Sequence, residues 1–198
     1  MHNSAQRNKW GLEVTGGTDN VVKGNLVSGN SQYGIWLAEL HTQLRRNRFV
    51  RNRIGIYVFG DRESVIALNR ISRGRRGINI AEGHGTRVGR NVIVRPHVYG
   101  LRARNGENIV RRNLVRKSGG DGFAVKPDNH GVLLSHNIAM GARDDGFDIR
   151  RPSTKLTGNR AVRNGDLGID AVAGITDGGG NRAHGNGDPA QCRNVACR

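Results

Sequence analysis

The chain has 198 residues, 35% of them hydrophobic and 30 of them glycine, and at that length one domain with one core is the default. Thirty-two Lys and Arg against 16 Asp and Glu leave a formal charge of +16, which points to a polyanionic partner: nucleic acid, an acidic polysaccharide or an anionic surface. No run of 18 apolar residues occurs, which excludes a membrane-spanning helix. Aromatics make up only 5% and never alternate with basic residues, which ranks nucleic acid behind polysaccharide.

The opening MHNSAQRNKW has no apolar h-region. It enters a repeat almost at once, and an uncapped sheet edge invites association. We therefore expect a longer secreted protein whose signal and cap precede Met1, monomeric once that end is covered.

From there the chain is one repeat. Asn recurs at 3, 25, 47, 69, 91, 113, 137, 159 and 181, and seven of the eight intervals are 22 residues. Gly11, Gly34, Gly55, Gly77, Gly100, Gly122, Gly146 and Gly168 follow at a steady offset. Apolar columns accompany them: Val22 to Leu156 before the Asn, Ala5 to Ala161 after it, and two more beyond the Gly. The last two columns alternate with other residue types, which is strand periodicity. Coils of 22 residues with short strands and tight turns predict an all-β, right-handed parallel β-helix of about eight to nine coils. At about 4.8 Å per coil the rod is roughly 40 Å long. The Asn column reads as a ladder of stacked amides at a bend whose left-handed backbone Asn tolerates. The Gly column reads as the entry to a strand after a sharp turn.

One side chain per coil points outward between the last two apolar columns: Glu13, Trp36, Tyr57, Asn79, Arg102, Ala124, Asp148 and Asp170. The next outward column includes Phe59, Arg104, Lys126 and Arg150. Early coils thus offer Trp36 and Tyr57, flat surfaces for sugar rings. Middle coils offer Arg102 and Arg104, suited to carboxylates or sulfates. Late coils gather Asp121, Asp144, Asp145, Asp148 and Asp170.

Like charges this close need a cation or a proton among them. Calcium takes six to eight oxygen ligands and favours carboxylates; Arg143, Arg150 and Arg151 are the alternative source of neutralisation. The one coil of 24 residues has its extra length in KPDNHG, 126 to 131, beside this cluster, a common place for a substrate loop. His130, in that loop, and His136 lack spaced partners and read as structural.

Residues 1–175 read as the β-helix and 176–198, where the apolar pattern fades, as a C-terminal cap. Cys192 and Cys197 have neither zinc-site nor redox-motif spacing. A disulfide between them would add about 2 kcal/mol and imply an oxidising compartment; two free thiols are the alternative.

The Asn-bearing coils resemble the right-handed parallel β-helices of the pectin-lyase-like superfamily. GDGFAVK followed one coil later by DDGFDIR is similar to the paired motifs of polysaccharide lyase family 9, the calcium-dependent pectate lyases. That resemblance implies calcium held by Asp121, Asp144, Asp145 and Asp148. The family's catalytic base is a Lys on the following coil, where this chain reads DLGIDA and carries Asp170. The implied reaction is calcium-assisted β-elimination from a polyuronate, with Lys126 or Asp170 as base and Arg150 beside the developing enolate charge. An epimerase would share the proton abstraction. Asp148 and Asp170, on adjacent rungs about 5 Å apart, also suit a retaining glycoside hydrolase. A non-catalytic glycan-binding rod is the remaining alternative.

Overall fold

A computed structural model describes residues 3–127 and 131–198. The extra length of the long coil therefore falls largely outside the described residues, as does His130. The described chain holds no helix. It winds as a right-handed parallel β-helix, and three parallel sheets of nine, eight and ten strands run along it. Most coils contribute one strand to each sheet.

The ten-stranded sheet runs from Trp10–Val14 through Tyr33–Leu37, Ile54–Val58, Arg76–His84, Tyr99–Asn105, Phe123–Val125, Phe147–Ile149 and Ile169–Ala171 to Cys192–Arg193. Its tenth member, Asp61–Arg62, pairs with the far end of Arg76–His84. All three sheets continue past residue 175, through Thr176–Asp177, Arg182–His184 and Cys192–Arg193. Cys192 and Cys197 are joined in a disulfide.

The four apolar columns fill the interior. Phe49, Ile71, Ile93, Ile56, Ile78, Phe123 and Phe147 are all at most 1% exposed, and Phe123 stacks on Phe147 with ring centroids 4.8 Å apart. No coil can bury its apolar side chains alone, so each rung is stabilised by the next.

The Asn ladder is built from two donors per rung. The backbone N–H and Nδ2 of Asn91 both donate to Oδ1 of Asn113, each at 3.0 Å. Nδ2 also donates to the Ile66 carbonyl at 2.8 Å. The left-handed backbone falls one residue earlier than expected, on Gly24, Arg46, Leu68, Arg90, Arg112, His136, Gly158 and Gly180. The reason is geometric: that preceding residue makes the bend, leaving the Asn free to aim both donors along the rod axis.

The Gly column answers to crowding rather than to a turn. A Cβ on Gly122 would meet the Gly146 carbonyl oxygen at 2.6 Å and the Ala139 Cβ at 2.8 Å. Coil-to-coil backbone contact there leaves no room for a side chain.

Candidate functional site

The site residues expected from the sequence lie on the ten-stranded sheet or in the chain segments that flank its strands. Its early coils form an aromatic cluster. Trp10 meets Trp36 edge-on with centroids 4.6 Å apart, and Tyr33 stacks on Tyr57 at 4.8 Å. Tyr57 continues to the exposed Phe59 at 6.3 Å. Trp36 and Tyr57 are half-buried.

Arg102 lies one rung beyond Asn79, and its Nε donates to Asn79 Oδ1 at 3.2 Å. Its guanidinium lies over the Tyr99 ring, 4.6 Å from the centroid, and Arg76 approaches the same ring at 5.6 Å. Burial lowers the pKa of Arg102 and raises that of Tyr99. Arg104 is exposed beside them. The sequence reading missed Arg76 and Tyr99 as members of this group. Their signal was the column just before each Gly, where Arg76 and Tyr99 stand one coil apart.

The acids of the late coils divide. Asp148 and Asp170 occupy one outward column, in register with Ala124 before them and Arg193 after. Lys126 and Arg150 occupy the neighbouring column, and the Arg150 N–H donates to the Val125 carbonyl across adjacent coils. The two columns interleave as a ladder of alternating charge. Lys126 Nζ contacts Asp148 Oδ2 at 2.6 Å, and Arg150 Nε contacts the other Asp148 oxygen. Arg150 also reaches Asp170 Oδ2 at 2.6 Å, and Arg193 reaches Asp170 Oδ1 at 3.3 Å. Both carboxylates are buried and face three cations. Arg193, which sequence reasoning missed, continues this column one rung after Asp170, in the last coil where the apolar pattern fades.

Asp121, Asp144 and Asp145 form the other half. One oxygen from each lies within 4.8 Å of the others. Asp121 and Asp145 stand one coil apart before equivalent glycines, with Gly122 N–H donating to the Asp145 carbonyl at 2.9 Å. The Asp145 side chain accepts from Leu167 N–H at 2.9 Å. Burial first, then the neighbouring Asp144, raises the Asp145 pKa to about 7. Burial and then Asp148 raise that of Asp121 to about 6. No ion pair joins these three to a cation among the described residues. Asp145 also lies within the same reach of Asp148 and Asp170, and so links the two halves.

Chemically, one half is already neutralised by Lys and Arg, while the other is poised to take protons or a cation. All its donors are carboxylate oxygens, which suit hard cations such as calcium, magnesium or manganese.

No curated protein sequence matches the chain. Among solved structures, the pectate lyase Pel9A superposes with a TM-score of 0.72 at 14% identity, covering 93% of this chain and 58% of that one. A tailspike protein of E. coli bacteriophage HK620, solved as a double mutant in complex with a pentasaccharide, gives 0.57 at 13% identity, covering 94% and 48%. The chain thus spans about half the length of these two structures, and identities this low speak for the fold alone. The family model described as periplasmic copper-binding protein (NosD) matches residues 1–113 and 62–186. Those matches together cover most of the chain, which therefore belongs to the NosD family.

Proposed function

We propose that the ten-stranded sheet acts on an acidic polysaccharide, with Asp121, Asp144 and Asp145 holding calcium and Asp148 at its edge. The observation that carries this reading is the group of three close carboxylates with no ion-pair partner among the described residues, on a face that also presents aromatic rings and arginines. Trp36 and Tyr57 would seat sugar rings, and Arg102 and Arg104 would hold carboxylates. The names of the structural neighbours, a pectate lyase and a tailspike bound to a pentasaccharide, agree with a glycan partner.

Bound calcium would polarise a uronate carboxylate and acidify the adjacent C5 proton. A base then takes that proton, the C4–O bond breaks with its electron pair on the leaving oxygen, and an unsaturated uronate remains. Lys126 is the base we favour, with Asp170 second, and Arg150 would hold developing negative charge. Lys126 has to leave Asp148 and release a proton to solvent before its amine can accept the C5 proton.

Copper, named in the family's description, does not suit these residues. The two cysteines are joined to each other, and the ligand groups of three or more among the described residues are all carboxylate. Carboxylates are poor partners for copper beside imidazole and thiolate. The disulfide and the family's periplasmic description support a place outside the cytoplasm.

A second reading, a glycan-binding rod without turnover, has its own support. Lys126, Arg150 and Asp170 are all engaged in the charge ladder. Ultraviolet absorbance from unsaturated uronate separates the two, measured on pectate and alginate with calcium and with chelator. A calcium-dependent rise that Lys126→Ala abolishes supports elimination. Calcium-dependent binding without a rise supports the rod.

A further inference from the structure

The net positive charge of this chain belongs almost entirely to one face, and that face is not the one bearing the acids. Take in each coil the residues from the left-handed bend before the nine-stranded sheet to the left-handed bend after it. These are 3–7, 24–29, 46–51, 68–73, 90–95, 112–117, 136–141, 158–163 and 180–185. They hold 14 of the 32 Lys and Arg and none of the 16 Asp and Glu. The rest of the chain holds 18 and 16, which is close to neutral. All 14 cations are exposed, and none makes an ion pair among the described residues.

Folding does not require cations here. In the bend after the sheet, Arg51, Arg73, Arg95 and Lys117 occupy four successive rungs with φ of 55°, 57°, 54° and 54°. A side chain is strained in that conformation and glycine is not. Glycine does occupy the same column at Gly29, Gly141 and Gly185. The four cations also repel one another at about the 4.8 Å coil spacing. Strain and repulsion both favour a different residue, so the charge itself is what the column supplies. Beside it a groove opens between Arg95, His97, Lys117 and Arg143.

We propose that this face binds a linear acidic polysaccharide laid along the rod, at a second site separate from the ten-stranded sheet. A polyuronate carries one carboxylate per sugar and would meet cations rung by rung. The one aromatic in the 53 residues, Phe49, is buried in the core, so bases would find no stacking platform. Leu26 and Leu68 are the large apolar side chains exposed there, too few to seat the face in a lipid surface.

The test is binding of a fluorescently labelled polyuronate oligomer to the whole chain in excess chelator, which silences any calcium site, across a salt series. The key variant is Arg51→Gly/Arg73→Gly/Arg95→Gly/Lys117→Gly, whose glycines suit the left-handed bend. We expect at least tenfold weaker binding at low salt and a slope of log K against log salt smaller by about three. Lys155→Ala, which removes a cation from the eight-stranded sheet instead, should bind like wild type. No binding by wild type, or equal binding by the quadruple variant, overturns the site. Equal or tighter binding of duplex DNA or anionic phospholipid vesicles at matched charge overturns the occupant.

Discussion

Asp148 and Asp170 sit among Lys126, Arg150 and Arg193, whereas Asp121, Asp144 and Asp145 in the same coils form no ion pair with a cation among the described residues. The difference lies in which column each acid occupies. The outward column of Asp148 runs beside a column of Lys126 and Arg150, so strand register alone interleaves opposite charges. The column of Asp121 and Asp145 continues to Tyr99 on one side and Leu167 on the other, and neither can neutralise a carboxylate. In a solenoid, the residue one coil away matters more to a charge than its sequence neighbour.

Removing a paired acid should give the largest effect of any single substitution. Asp148→Ala leaves Lys126 without its carboxylate and Arg150 with Asp170 alone, and, discounted because both cations are partly exposed, we expect a loss of about 2 kcal/mol in urea denaturation. A loss under about 1 kcal/mol would mean that the ladder is solvated surface.

The unpaired half should show itself through pH. Asp121 and Asp145 titrate at about 6 and about 7 in the folded chain, against 3.8 as the ordinary value. Between those values the folded state holds more protons than the unfolded state, so stability falls as pH rises. In chelator we expect a loss of about 2 kcal/mol from pH 5 to pH 8, discounted for solvent screening. Calcium at pH 8 should restore it by mass action. Asp145→Asn should remove about half of the pH dependence and be more stable than wild type at pH 8 without calcium, because Asn still accepts from Leu167. Stability that rises with pH over this window would contradict the raised values.

Arg193→Ala should give the smallest effect, under about 1 kcal/mol, because Arg193 is 59% exposed and Arg150 still holds Asp170. A larger loss would make the last coil a keystone of the ladder rather than its end.

Much of the fold was legible because a solenoid writes its geometry into one period. The Asn spacing set the coil length, and the columns after Gly identified the core strand and its outward face. What stayed hidden depends on backbone detail or side-chain direction. The bend falls on Arg46, Arg90 and Arg112 rather than on the Asn. A second amide ladder, Asn30 to Asn52 and Asn164 to Asn186, lies five residues after the first. It breaks at Gly74, Pro96, Ser118 and Ala142, so its period is easily overlooked. All five acids were found from their clustering. Their division was not, because it turns on which cation reaches which oxygen. The net charge was legible as a total, and the coil register converts it into a face.

Calorimetric titration of calcium into wild type and Asp145→Asn, at pH 5 and pH 8, tests the division of the acids most directly. Metal held by ionised carboxylates must displace protons. We therefore predict affinity at least tenfold higher at pH 8, lost in Asp145→Asn and retained in Arg193→Ala. Binding that is absent at pH 8, or unchanged by Asp145→Asn, would contradict a cation site at Asp121, Asp144 and Asp145.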